Sequence, residues 1–127
     1  MEKLETIAQY AARDLGPSML GEADCREWFL QEMHAARYVC PGCGATIESN
    51  RQCFRYNSGE RVVCGVCGKF FTCKTGTILE GVSLSFSQVF ILLALRGLKV
   101  STPSIAAHIG VSPSTVSRFF ARFQGEQ

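Results

Sequence analysis

The sequence predicts an α+β protein: N-terminal helices, then a small antiparallel sheet pinned by four cysteines, then a C-terminal helical bundle. Three observations carry this. Cys-x-x-Cys occurs twice, as Cys40/Cys43 and Cys64/Cys67, with twenty residues between the pairs. Short runs of β-forming residues lie between and after them. Beyond Gly81 the apolar spacing changes to a helical period. The expected segments are residues 1–37 for the helices, 38–80 for the cysteine-pinned ribbon and 81–127 for the bundle.

In the first segment, Leu4, Ile7, Ala8, Ala11 and Leu15 fall on one face of a helix that Gly16 and Pro17 should end. Such a stripe packs on its own domain or pairs with a second copy, so a homodimer is one reading of it. The stretch has no hydrophobic centre of the signal-peptide kind. The longest apolar run, from Val89, is interrupted by Arg96 and is too short to cross a bilayer. A cytoplasmic protein with no membrane partner is expected. Hydrophobic residues make up 46% of the 127-residue chain, and segments this small usually need a staple beside their apolar core.

The staple is read from the cysteines. There are seven, an odd number, with no export signal and with four in paired Cys-x-x-Cys turns, which favours a metal over disulfides. Two such turns supply the four soft corners of a tetrahedron, so Cys40, Cys43, Cys64 and Cys67 are expected to hold one structural Zn²⁺. With every corner a protein sulfur, no position is left for a reactive water. A redox role would call for one Cys-x-x-Cys in a βαβ setting, which is missing. Pro41 fixes a backbone angle in the first turn, while Gly44 and Gly68 permit positive φ. The runs "ATIES", "QCFRYN", "ERVVC" and "KFFTC" read as strands of a three- or four-stranded zinc ribbon, with Asn57-Ser58-Gly59 as a hairpin turn. Cys53 reads as a strand residue, Cys25 and Cys73 as small buried apolar groups, and His34 as an ordinary polar residue.

In the last segment, Ser85 or Ser87 can cap a helix closing near Gly97. Thr102 can cap the next, with Pro103 at its first position and Gly110 ending it; Ser112 and Pro113 start another. Counted from Thr102, the apolar Ile105, Ile109, Val111, Val116 and Phe119, with small Ala106 and turn Gly110, occupy the places that two crossed helices of a DNA-binding helix-turn-helix require. Pro113 to Phe123 is then the recognition helix. Ser114, Thr115, Ser117 and Arg118 would face double-stranded DNA, with Arg118 the candidate for a guanine. Lys99, Ser101, Ser104 and Arg122 would meet phosphates, and Ser112 stands at the same helix start. His108 reads as solvated. Charge is graded along the chain, −3 over residues 1–37, +2 over 38–80 and +3 over 81–127. The basic part permits phosphate contact. Contact through Arg51, Arg55, Arg61, Lys69 or Lys74 of the ribbon stays open at this point.

The order of parts, from "EADCREWFLQEMHAARYVCPGCG" through the paired knuckles and "GTILEG" (Gly76 to Gly81) to the final helices, resembles the N-terminal region of zinc-ribbon insertion-sequence transposases. The likeness runs from about Glu22 to Phe123. It implies a DNA-binding module that engages element ends. Such transposases continue into a nuclease domain with Mg²⁺-holding acids, whereas residues 81–127 contain one acid, Glu126. Catalysis by this chain is therefore not expected, nor is a small-molecule substrate. The sequence suits a nucleoid-associated regulator or a piece of a longer enzyme. The competing readings are a protein-interaction adaptor and the targeting subunit of a separately encoded nuclease.

Overall fold

A helix that is apolar around its whole circumference has to be enclosed on every side, and the stretch from Phe86 to Gly97 is such a helix. In the computed structural model, which describes residues 2–16, 21–34 and 37–124, this stretch is α4. Its residues Phe86, Val89, Phe90, Leu92, Leu93 and Ala94 are all buried. Helices α1 (Glu2–Asp14), α2 (Glu22–Glu32) and α5 (Thr102–Ile109) pack on it, and α6 (Pro113–Gln124) packs on α5 and touches α1. Met1–Glu32 and Val82–Gln127 thus form one unit, and Met33–Gly81 forms another. The two ends of the chain, separate in sequence, share a core.

Each contact with α4 follows from side-chain size. Leu4, Ile7, Ala8 and Ala11 of α1 are buried; Leu15 lies beyond the helix and is 42% exposed. Where α1 crosses α4, a Cβ added at Gly97 would stand 2.2 Å from the Ala8 carbonyl oxygen and 2.9 Å from the Ala12 Cβ. Glycine there sets the close approach of two backbones, which its reading as a helix stop did not include. Helix α2 contributes Trp28, whose ring meets Phe90 edge-on at 5.1 Å, and Phe29, tilted on Phe86 at 5.5 Å. Cys25 is buried beside them, as expected. Phe119, Phe120 and Phe123 of α6 are buried too. Arg96 lies over the Phe120 ring and bonds Glu5.

The ends of α4 are closed locally. Ser85 is the N-cap and exchanges hydrogen bonds with Gln88 in a capping box. The carboxylate of Glu22 accepts from the amides of Phe86 (2.8 Å) and Ser87 (2.9 Å) and from the Ser87 hydroxyl (2.7 Å). An anion is thereby placed on the positive end of the helix dipole. At the other end, Lys99 N–H donates to Arg96 and Val100 N–H to Leu95, the pairing that puts the intervening residue in the left-handed region. That residue is Lys99, at φ 69°, where glycine is usual. In α5 the cap is Ser101, with Pro103 near the first turn. This is one residue earlier than the Thr102 cap read from sequence, because Ser101 takes the extended backbone a cap requires. Gly110, at φ 79°, ends α5 as expected. Pro17, Glu126 and Gln127 lie outside the described residues.

The unit Met33–Gly81 has far less regular structure. Its sheet has two strands, β1 (Val62–Val63) and β2 (Phe70–Phe71), paired antiparallel with Val62 opposite Phe71. An isolated bridge joins Val39 to Thr46. The strand expected at "QCFRYN" is instead helix α3 (Asn50–Asn57). Ser49 caps it, accepting from the Gln52 amide at 3.3 Å. Ser49-x-x-Gln52 is a capping-box spacing that outweighs the β propensity of Phe54 and Tyr56. A strand would place those two on one face; the helix buries Tyr56 and leaves Phe54 71% exposed. The Asn57-Ser58-Gly59 stretch consequently ends a helix, with Gly59 at φ 81°, and is not a hairpin turn. Cys53 is a helix residue whose thiol faces the Ile47 carbonyl.

Two measurements test the helical unit. Burial alone would push Glu22 up, but the Ser87 hydroxyl and the Ser87 and Phe86 amides outweigh it and hold the carboxyl below its ordinary value of 4.5. Its contribution is therefore complete above pH 4.5 and disappears as pH falls through the lowered folded value. Denaturant unfolding of Glu22→Gln should show a loss of about 1 kcal/mol at neutral pH that shrinks towards zero in acid. Lys99→Gly should raise stability by about 1 kcal/mol, through relief of the left-handed backbone.

Candidate metal centre and the surface of the last helix

Two short turns build the cysteine site. In the first, Gly44 N–H donates to the Cys40 carbonyl (2.9 Å) and Cys40 N–H to Ala45 (2.8 Å). In the second, Gly68 N–H donates to Cys64 (3.0 Å) and Cys64 N–H to Lys69 (2.9 Å). Both turns close on a left-handed glycine, Gly44 at φ 81° and Gly68 at φ 77°, the conformation a Cβ would oppose. Their third residues also match: the amides of Gly42 and Val66 each lie 3.3 Å from the first sulfur of their own turn.

The four sulfurs of Cys40, Cys43, Cys64 and Cys67 lie within 4.8 Å of one another. Across the turns, Cys40 and Cys67 are 3.6 Å apart and Cys43 and Cys64 are 3.5 Å apart. A tetrahedral ion bound at about 2.3 Å requires sulfur–sulfur edges of about 3.8 Å, so the donor set fits a single metal ion. Cys40 and Cys64 are buried, while Cys43 and Cys67 are exposed. The amides of Cys67 and Val66 pull the Cys64 thiol down to about 6. Those of Cys43 and Gly42 lower Cys40. The Ala45 amide acts in the same sense on Cys43, yet the neighbouring Cys64 sulfur, burial and the remaining thiols push it up to about 11. Four sulfurs in so small a volume cannot all be thiolates without mutual repulsion, and a cation in their midst removes that conflict.

The other candidates fall elsewhere. Cys73 is buried, and neither it nor Cys25 or Cys53 joins the cluster. His34 Nε2 is 2.7 Å from the hydroxyl of buried Tyr56, and burial holds its imidazole below the ordinary value. It supports the ring cluster of Tyr38, Tyr56 and Phe71.

On the helical unit, Val116, Phe119, Phe120 and Phe123 of α6 face the core, while Ser114, Ser117, Arg118 and Arg122 are exposed. Their spacing of three and four residues places these four along one face of the helix. Thr115 is half-buried and is tied to Ser112, whose hydroxyl also accepts from the Thr115 amide at 3.3 Å. Ser112 is thus the start of the helix as expected. Ser101 and Ser104 are exposed at the start of α5, hydroxyl to hydroxyl at 3.1 Å, and Lys99 is exposed after α4. His108 is exposed, with Nδ1 at 2.8 Å from the Ser104 carbonyl. No carboxylate occurs in the sequence of α5 or α6. Sequence reasoning did not single out the left-handed backbone of Lys99. Its only signal is position, two residues past the end of an apolar helix that has no glycine there.

Comparison with protein families, with curated proteins and with solved structures yields no match. Among the described residues, no helix is long and apolar enough to cross a membrane.

Substitution separates the ligands from the other cysteines. Cys53→Ser should retain one metal per chain by elemental analysis. Cys64→Ser should lose it, together with the dispersed near-UV circular dichroism signal of the ring cluster.

Proposed function

We propose that the protein binds double-stranded DNA sequence-specifically through α6, with one Zn²⁺ holding the Met33–Gly81 unit as a zinc ribbon. The observation that carries the reading is the exposed stripe of Ser114, Ser117, Arg118 and Arg122 on the face of α6 opposite its buried phenylalanines. Helices α5 and α6, joined through Gly110 and capped by Ser112, then act as a helix-turn-helix. Small and hydroxyl-bearing residues at the front of α6 let the helix enter a major groove. Arg118 has the reach and planar fork for guanine O6 and N7. Lys99, Ser101, Ser104 and Arg122 meet phosphates, and Ser112 and Thr115 mainly hold the start of the helix in place.

Zinc is the ion that four thiolates in a tetrahedron favour. With no open coordination position its work is structural, and the chain itself performs no catalysis. The biological role in keeping with these parts is a transcriptional regulator or the end-recognition module of a mobile element, acting in the cytoplasm on nucleoid DNA. A homodimer on an inverted repeat would suit either.

The test is selection of bound fragments from sheared genomic DNA by the zinc-loaded protein at physiological salt, followed by sequencing. One enriched motif is expected. On that motif Arg118→Ala should cost about 1–3 kcal/mol and relax one base position, whereas Lys99→Gly should weaken all sequences alike and lessen the salt dependence. Absence of any enriched motif, with the metal-loaded fold intact, would reject this reading in favour of a protein-interaction adaptor.

A further inference from the structure

We infer that the Met33–Gly81 unit carries a nucleic-acid site of its own, in which Phe70 stacks on the bases of a single strand while Arg51, Arg55 and Arg61 hold its phosphates. This goes beyond the proposed action of α6 and stands on a different part of the chain. Arg51, Arg55, Arg61 and Phe70, with Gln52 and Val63, line a shallow groove of ≈ 240 Å³ that has no carboxylate in its lining. Helix α3 supplies Arg51 and Arg55 one turn apart, with Phe54 on the same face and 71% exposed. Strand β2 supplies Phe70, opposite Val63 in the register and 60% exposed. The Arg61 guanidinium lies 4.7 Å from the centre of the Phe70 ring.

Phenylalanine is ordinarily an interior residue, and here Phe54 and Phe70 stand in solvent among arginines. Cations attract phosphates of any nucleic acid, but an open aromatic face is of use only to a base whose own face is free. Duplex DNA keeps its base faces inside the stack, whereas a single strand presents bases and phosphates together. Arg61, held over the ring, can add its guanidinium plane to the stack. Arg55 also bonds Glu60 at 3.3 Å and the Arg61 carbonyl at 3.0 Å. It steadies the turn between α3 and β1, so it is a poor choice for substitution.

The experiment is fluorescence anisotropy of a labelled oligothymidylate of about 16 nucleotides, titrated with the full metal-loaded chain at low and physiological salt. Phe70→Ala and Phe70→Leu should each weaken binding between about fivefold and a hundredfold, with metal content unchanged. Phe70→Trp should bind at least as tightly as the parent, and Arg51→Ala should flatten the salt dependence. Arg118→Ala should bind the oligonucleotide like the parent, whatever its effect on duplex. The inference is overturned if the parent chain does not bind at low salt, or if Phe70→Ala and Phe70→Leu bind as it does. A loss confined to Arg118→Ala would likewise overturn it, by placing the strand on α6.

Discussion

Everything in the helical unit depends on the need to enclose α4. An apolar helix of this kind has no stable exposed face, and neither α5 nor α6 is long enough to surround it. The remaining sides are closed by α1 and α2 from the opposite end of the chain. Glu5 and Arg96 meet across 91 residues of sequence as a consequence. The same demand explains the small residues at the crossing: Ala8, Ala12 and Gly97 let two backbones approach where larger groups would hold them apart. Glu22, at the start of α2, closes the register by accepting the first amides of α4.

The Met33–Gly81 unit is therefore an insertion, in sequence, between two helices that belong together. Among the described residues it has one short helix, a pair of two-residue strands and few buried rings with which to hold its shape. So little apolar burial is marginal without a staple, and four sulfurs converging from two turns provide the place for one. Structural zinc contributes about 10–16 kcal/mol of apparent binding energy in small peptides, comparable with the whole stability of a typical domain. The similarity of the two turns, down to the left-handed glycine and the amide aimed at the first sulfur, is the geometry that two equal halves of one tetrahedron demand.

Two places in this molecule depart from ordinary burial and backbone rules. Lys99 takes a left-handed conformation that glycine would adopt without strain, and phenylalanines stand exposed beside arginines in the Met33–Gly81 unit. Neither feature helps the fold. Both are on elements whose backbone the two cores hold, a cap of α4 in one case and α3 with β2 in the other.

Much of this was legible because the signals are local. Cys-x-x-Cys-Gly specifies its turn, and Ser85 with Gln88, Gly110 and Ser112 with Pro113 mark helix ends to within a residue, since caps act over a single turn. The converging cysteines and the exposed face of α6 follow from such spacings alone. The stretch around α3 failed the same test: its β-formers pointed to a strand, although Ser49 and Gln52 carried the cap signature. What sequence alone determined is where turns occur, which sulfurs converge and which faces are apolar. Only the tertiary structure decided which apolar faces meet, that both ends of the chain enclose α4, that Gly97 is a crossing point and that Phe54 and Phe70 stay outside. Those outcomes depend on volume and distance between residues far apart in the chain, and no local pattern encodes them.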